Sequence, residues 1–325
     1  MKLIATDDFV ETWCKIKQRG LKFILSKFTA DLQGRTKSAF DTYRGNASDW
    51  WDVPQVRKRW NRMVTGNPNI LIDDYVVSRY FSGFQNIKLL SPGSGDCSHE
   101  IFLAQHSFFE EITCIDIAEN LLEKARMKSE ELKLSNLRFI CDDVYKCKLP
   151  QEYFDVIWFN ASLHHFRNQE HFVACRLKPL LRENGLLIIN EYVGPNRLQF
   201  SRKQINAINV AISKIDREYR IRNGSTLVKN HYSGSGLLRM YLADPSECVD
   251  SGSIISVIRR NFQIVEEKPF GGNILMAALK DIAHHFMETN PRKLEILDDL
   301  FRLEDEFLKD NPSDYMIGVY RKQTR

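Results

Sequence analysis

From Ile87 onward the sequence alternates short apolar runs, each closed by turn residues, with longer amphipathic stretches, and this alternation constrains the fold more than any other feature. Apolar runs bounded by Gly, Pro, Asp or Asn read as strands, and nearly continuous ones as strands buried on both faces. IKLLS (87–91), EITCID (111–116), LRFICDD (137–143), YFDVIWFNA (153–161) and GLLIINEYV (185–193) are such runs. Between them, ENLLEKARMKSEELKL (119–134) gathers Leu121, Leu122, Ala125 and Leu132 on one side, as a helix lying on a sheet does. Phe172, Val173, Leu177, Leu180 and Leu181 recur at helical spacing, with Gly185 as the predicted stop. SIISVIRRNF (253–262) reads as a further helix, and FQIVEEKPF (262–270) and YMIGVYRK (315–322) as two more strands. Strands alternating with helices predict an α/β, Rossmann-like doubly wound sheet.

The flanks are of another texture. Residues 1–85 lack strand alternation and read as a helical extension containing the basic, aromatic VRKRWNRM (56–63). Residues 86–325 carry the sheet, broken after Val193 by Gly194 and Pro195, and 196–250 reads as a helical lid inserted over it. With 43% hydrophobic and 27% charged residues in 325, the composition is that of a globular protein. Lys plus Arg exceed Asp plus Glu by 46 to 42, a surplus too small to announce a nucleic-acid partner. The longest apolar stretches, such as LLII at 186–189, fall far short of the roughly 20 residues of a membrane span. Cys14, Cys97, Cys114, Cys141, Cys147, Cys175 and Cys248 form no CxxC pair and follow no secretory signal, so thiols in the cytoplasm are expected and no structural zinc. His284 and His285 lack the HExxH spacing and read as structural, so no metal site is expected.

Chemistry concentrates at the strand ends. GSGDCS (93–98) sits where the first strand hands over to a helix, and glycines there let backbone N–H groups approach a polar or anionic ligand. A tight turn without a ligand would look the same, and Ser98 stands where a dinucleotide enzyme wants a third glycine. Asp116 either accepts the hydroxyls of an adenosine ribose or caps the next helix. Asp142 and Asp143 either meet an adenine or make a turn. Three strand ends presenting Gly, Asp and Asp to one crevice favour the ligand reading for the set.

In LLSPGSGD, CIDIAENLLEKAR, FICDDV, FDVIWFNASLHHF and LKPLLRENGLLIINEYVGP, over roughly 87–193, the chain resembles the class I S-adenosylmethionine-dependent methyltransferases. The resemblance implies a seven-stranded sheet whose last, antiparallel strand is YMIGVYRK, and S-adenosyl-L-methionine as cofactor. It places Ser91, Gly93 and Gly95 beside the methionine part, Asp116 and Ile117 at the ribose, Asp142 or Asp143 with Val144 at the adenine, and Asn160 on the sulfonium side. Two positions depart from the family pattern. Ser91 replaces the usual acidic residue two places before the first glycine, and Cys97 replaces a third glycine.

Methyl transfer from a sulfonium needs alignment, and a base only where the nucleophile must lose a proton. His164 and His165 follow the fourth strand beside the expected methyl position, one to act and one to pack, with His165 preferred because some methyltransferases use the second position of this step. Glu191 ends the fifth strand as a third candidate for catalysis. Tyr192, His231, Tyr232 and Arg239 are candidates for binding the acceptor, the last three from 196–250, where Arg197, Arg217, Arg220, Arg222 and Tyr241 form either a lid or a solvated face. HYSGSG (231–236) reads as a hinge or acceptor loop, and RKRW (57–60) as an amphipathic helix or a phosphate contact. The expected activity is methylation of a small or medium-sized polar acceptor, a sugar of a glycan or a secondary metabolite, at a hydroxyl oxygen. Absence of an NPPY-like tetrapeptide where NASL stands argues against base-amine methylation. The competing expectations are another N-methyltransferase and a cofactor-binding scaffold or sensor without turnover.

Overall fold

The computed structural model describes residues 2–10 and 49–323, so residues 11–48 of the predicted N-terminal extension, with Cys14, lie outside the described residues. Helices α1 (Pro54–Thr65) and α2 (Ile72–Tyr80) precede the sheet. Then β1 (Ile87–Pro92), α3 (Ser98–Leu103), β2 (Phe109–Asp116), α4 (Glu119–Glu131), β3 (Leu137–Cys141) and β4 (Phe154–Asn160) alternate as predicted. A short helix α5 (Gln169–His171) leads toward β5 (Leu181–Tyr192), followed by α6 (Arg202–Lys214), α7 (Leu237–Ala243) and α8 (Ile254–Asn261). The chain finishes with β6 (Gln263–Gly271), α9 (Leu275–Leu279), α10 (Pro291–Leu308) and β7 (Tyr315–Arg321).

The seven strands form one sheet in the order β3-β2-β1-β4-β5-β7-β6. β1 pairs in parallel with β2 and with β4, so the winding reverses between β1 and β4, and ligands of open α/β sheets bind outside the strand ends at such a reversal. Lys322 N–H, just past β7, donates to Gly185 O near the start of β5 (2.9 Å), as an antiparallel neighbour does. The doubly wound sheet with its antiparallel last strand is therefore as expected.

One prediction fails locally. The helix read through Leu181 with a stop at Gly185 gives way earlier: after α5 the turns widen over Phe172–Leu177, tighten over Lys178–Leu180, and β5 begins at Leu181. Pro179 explains this, because it has no N–H to give the preceding turn and its ring crowds that turn's carbonyl. Gly185 lies inside β5, where an added Cβ would stand 3.0 Å from Arg182 O and 3.2 Å from Asp155 O.

The chain divides into two compact units. One comprises Val76–Val193, Ser246–Lys268 and Met316–Arg325, and holds most of the sheet. Leu90, Ile157, Phe159, Leu187 and Ile189 project into one buried cluster with Phe166, Phe172, Leu177, Val257 and Ile258. Each such side chain contributes about 1.5–3 kcal/mol by leaving water. Phe166 and Phe172 stack with centroids 4.3 Å apart. Elsewhere in the same unit Phe81, just past α2, meets Phe109 and Trp158 at 5.5 and 6.2 Å.

The other unit comprises Met1–Tyr75, Gly194–Pro245 and Pro269–Tyr315. Within it the RKRW stretch lies on α1 and is spent on packing. Arg59 pairs with Glu304 (3.4 Å) and Asp305 (2.6 Å), and Trp60 meets Trp50, Phe270 and Tyr315 edge-on or stacked. His285 Nε2 meets Ile221 O at 2.9 Å, and burial holds His284 below the usual histidine range, further lowered by the adjacent His285. Among the described residues no helix is long and apolar enough to cross a membrane.

Candidate functional site

The turn after β1 takes its shape from two glycines in the left-handed region, Gly93 (φ +70°) and Gly95 (φ +56°), which side-chain-bearing residues enter at a cost. The N–H groups of Gly93 and Ser94 donate to Ile115 O at 2.7 and 3.2 Å, tying the turn to β2. An added Cβ on Gly93 would sit 3.1 Å from Ser162 Cβ, whereas one on Gly95 would meet nothing within 4 Å. Gly93 is therefore constrained by the protein itself, and Gly95 faces open space.

Asp116 ends β2, opposite Cys141 at the end of β3. Its Oδ2 accepts from Gly95 N–H and its Oδ1 from Ala118 N–H, both at 2.8 Å. Burial pushes its carboxyl above the ordinary range, opposed by the N–H groups of Ala118, Gly95 and Ile117 and by the nearby His165 imidazole. Each oxygen of a carboxylate has a second lone-pair site, so the same group can take further donors. Turn, strand end and His165 thus share one neighbourhood.

Ser91 is buried, and its hydroxyl donates to Glu100 Oε1 at 2.5 Å. Glu100 lies in the first turn of α3, is 2% exposed, and its Oε2 has no hydrogen-bond partner among the described residues. A carboxylate therefore stands beside the position where the family pattern has one, brought there by the helix instead of the strand. Sequence reasoning missed it. Its signal was an acidic residue in the first turn of the helix that follows the glycine turn.

At the end of β3, Asp142 N–H donates to Asp116 O (3.1 Å), and Asp142 Oδ1 and Asp143 Oδ1 accept from the N–H groups of Asp143 and Tyr145 at 2.7 and 3.0 Å. Both aspartates shape a turn, with Asp142 exposed, Asp143 half-buried and Val144 buried behind them. Ile117 is half-buried, and its carbonyl lies 3.8 Å from Cys141 Sγ. Asn160 Oδ1 accepts from Asn190 Nδ2 at 2.9 Å across the ends of β4 and β5.

Past β4 the chain reverses at Ala161, whose φ of +53° is a left-handed geometry that alanine adopts at a cost of about 1–2 kcal/mol. The reversal turns Ser162 and Leu163 N–H toward Glu191 Oε1, while Glu191 Oε2 lies 2.7 Å from His164 Nδ1. Glu191 is fully buried. An ionised carboxylate only accepts, so Nδ1 of His164 carries the proton. His165 is less buried, with Nδ1 3.0 Å from Ser246 Oγ and Nε2 3.9 Å from Glu247 Oε2. Ser246 and Glu247 were not read from the sequence, because nothing in their spacing links them to the histidine pair. Tyr192 is 2% exposed, and its ring lies 6.5 Å from that of His164.

The remaining acceptor candidates lie in the other unit. Arg239 Nε donates to Asp8 Oδ1 (2.9 Å), and Tyr232, buried, donates its N–H to Asn209 Oδ1 (2.8 Å). His231 is exposed and lines a cleft with Asp7, Arg222 and Ser233. Arg222 pairs with Asp7 and Asp281, and Arg197 donates to Pro245 O while lying 4.7 Å from the Tyr241 ring. These two arginines and Arg239 thus have partners within their own unit. In HYSGSG, Ser233 N–H and Oγ both meet Asp7 Oδ2, and Gly236 N–H donates to Asp8 Oδ1.

Residues 90–189 match the family model described as a methyltransferase domain. No curated protein sequence matches the chain. Among solved structures it is similar to phosphoethanolamine N-methyltransferase 2 of Haemonchus contortus in complex with S-adenosyl-L-methionine, at 10% identity and a TM-score of 0.49, covering 87% of this chain and 62% of that one. It is similar to the (4+2)-cyclase SpnF at 17% identity and a TM-score of 0.45, covering 86% of this chain and 98% of that one. A third is an S-adenosylmethionine-dependent methyltransferase from Mesorhizobium loti, at 16% identity and a TM-score of 0.44, covering 77% of this chain and 97% of that one. As distant likenesses they carry nothing about the acceptor. The stretch that brings Gly93, Gly95, Asp116 and the histidine pair together lies within the residues that match the methyltransferase-domain model.

Proposed function

We propose that this methyltransferase acts on a small or medium-sized polar acceptor at a hydroxyl oxygen, with His165 taking the proton that the hydroxyl must lose. The observation that carries the reading is the place of His165 on the turn after β4, which Ser162 ties to the end of β1 through its Oγ on Pro92 O (2.9 Å), beside the Gly93 turn; this joins the cofactor end of the crevice to a group able to accept a proton near neutrality. S-adenosyl-L-methionine, when bound, supplies an electrophilic methyl group. Two features support its fit here: the open space at Gly95, where an added Cβ would meet nothing within 4 Å among the described residues, and the buried Glu100 Oε2, which has no hydrogen-bond partner among them. In this proposal Glu100, held by Ser91, offers the negative charge that Ser91 cannot, and meets the ammonium of the methionine part. Gly93 shapes the turn, Asp116 takes ribose hydroxyls beside Ile117, the turn at Asp142, Asp143 and Val144 borders the adenine, and Asn160 flanks the sulfonium.

His164 has a different part. Its Nδ1–H is committed to Glu191, so the pair fixes the turn on which His165 stands. Glu191 acts through His164 and is a positioning residue. Ser246 Oγ, 3.0 Å from His165 Nδ1, orients the second imidazole. Within the same proposal, Tyr192 borders the acceptor. The test is turnover of a hydroxylated acceptor by His165→Gln across pH. The substitution is expected to reduce kcat by about 10²–10⁴-fold, to remove the acid limb of the profile, and to leave cofactor affinity intact. An unchanged kcat would reduce His165 to packing, and faster transfer to an amine than to its hydroxyl analogue would replace oxygen with nitrogen.

A further inference from the structure

His164, His165 and Glu247 each bring one donor atom to within 4.8 Å of the others. The histidines follow β4 while Glu247 precedes α8, so no spacing motif announces the set. Glu247 Oε1 accepts from Cys248 Sγ at 3.1 Å, and its other oxygen lies 3.9 Å from His165 Nε2. A second, independent feature stands behind the cluster. Histidines that ligate metals almost always give their other ring N–H to a carboxylate or carbonyl, which fixes the tautomer and raises the basicity of the ligating nitrogen. His164 already has that arrangement, Nδ1 to Glu191 Oε2 at 2.7 Å, with Glu191 fully buried and further held by Ser162 and Leu163 N–H.

We propose that His164, His165 and Glu247 form a divalent-metal site of the zinc class, with Glu191 orienting His164 from behind. Two imidazoles and a carboxylate suit zinc and its transition-metal neighbours, whereas magnesium and calcium take oxygen ligands. Zinc bonds of about 2.0–2.2 Å set tetrahedral donors about 3.5 Å apart. The observed 3.9 Å and the 4.8 Å limit are reached from there by small side-chain rotations. Three protein ligands leave one position for a further group, as sites that handle a reacting molecule do and closed structural sites do not.

The test uses the full chain stripped with a chelator, without S-adenosylmethionine. Zinc is titrated against a chromophoric competitor, and cobalt is read by its visible ligand-field bands. One ion per chain is expected. Glu247→Gln and His165→Gln, both at partly exposed side chains, are expected to weaken zinc at least tenfold and to abolish the cobalt bands. Glu191→Gln is expected to weaken zinc by about 10–100-fold. Equal zinc affinity in the wild type and in Glu247→Gln and His165→Gln would overturn the proposal, as would the absence of stoichiometric binding by the wild type. Calorimetry with S-adenosylhomocysteine on the same proteins keeps the two readings apart. Glu247→Gln is expected to lose the ion and keep the cofactor, and Asp116→Asn to do the reverse.

Discussion

Glu191 and His164, at the ends of β5 and β4, are joined by a 2.7 Å contact between Oε2 and Nδ1, and the same carboxylate accepts two backbone N–H groups from the turn. One buried group therefore closes the turn after β4 and sets a histidine tautomer. Glu191→Gln keeps the shape but turns an NH₂ donor toward groups that are themselves donors. The expected cost is about 1–3 kcal/mol, that of an unsatisfied buried partner, read as a lowered midpoint in chemical denaturation. A variant as stable as the wild type would mean that the carboxylate does not hold the turn.

Asp116→Asn removes the charge from a carboxylate that already accepts from Gly95 and Ala118 N–H. S-adenosylhomocysteine affinity is expected to fall at least tenfold, about 1.4 kcal/mol or more, measured by calorimetry. Undiminished affinity would withdraw Asp116 from the ribose.

Gly93 and Gly95 separate fold from ligand. At both, alanine costs the left-handed backbone, about 1–2 kcal/mol, but only at Gly93 does the new methyl press on Ser162 Cβ, at 3.1 Å. Gly93→Ala is expected to be the less stable of the two in thermal unfolding. Gly95→Ala is expected to fold and to bind S-adenosylhomocysteine poorly, because its methyl would occupy the space a ligand uses. Normal binding by Gly95→Ala would move the ligand away from this turn.

The legible parts of this molecule were those set by local pattern. Apolar runs and turn residues located the strands, and Gly93, Gly95 and Asp116 could be found because a strand end, a left-handed turn and a helix start are neighbours in sequence. Gly185 misled because a glycine after helical spacing resembles a helix stop, while Pro179 had already ended the helical spacing. Glu100 and Glu247 were not legible for a different reason. Each acquires its meaning from a partner on another element, Ser91 Oγ at 2.5 Å and His165 Nε2 at 3.9 Å; the place of Glu100 in the first turn after the glycines is a local sign of the first pairing, and nothing local signals the second. The arginines of 196–250 looked like anion binders until Arg222 and Arg239 were found against Asp7 and Asp8, near the start of the chain.

Asp314 allows a test of pH dependence in the unit that the proposed chemistry does not use. It is 3% exposed, its Oδ2 accepts from Gln204 Nε2 at 2.7 Å, and burial pushes its pKa up from 3.8 to about 7, with the Glu304 charge adding to the rise and the Gln204 bond opposing it. A carboxyl whose pKa is higher folded than unfolded binds more protons when folded, so its contribution is fully present below the unfolded value and is lost as pH rises through the folded one. Stability from this group is therefore expected to fall between about pH 4 and pH 7, by about 1 kcal/mol per unit. Asp314→Asn, which keeps an acceptor for Gln204 and cannot ionise, is expected to raise the thermal midpoint at pH 8 and to change it little at about pH 4. Equal shifts at the two pH values would show that Asp314 does not titrate in this window.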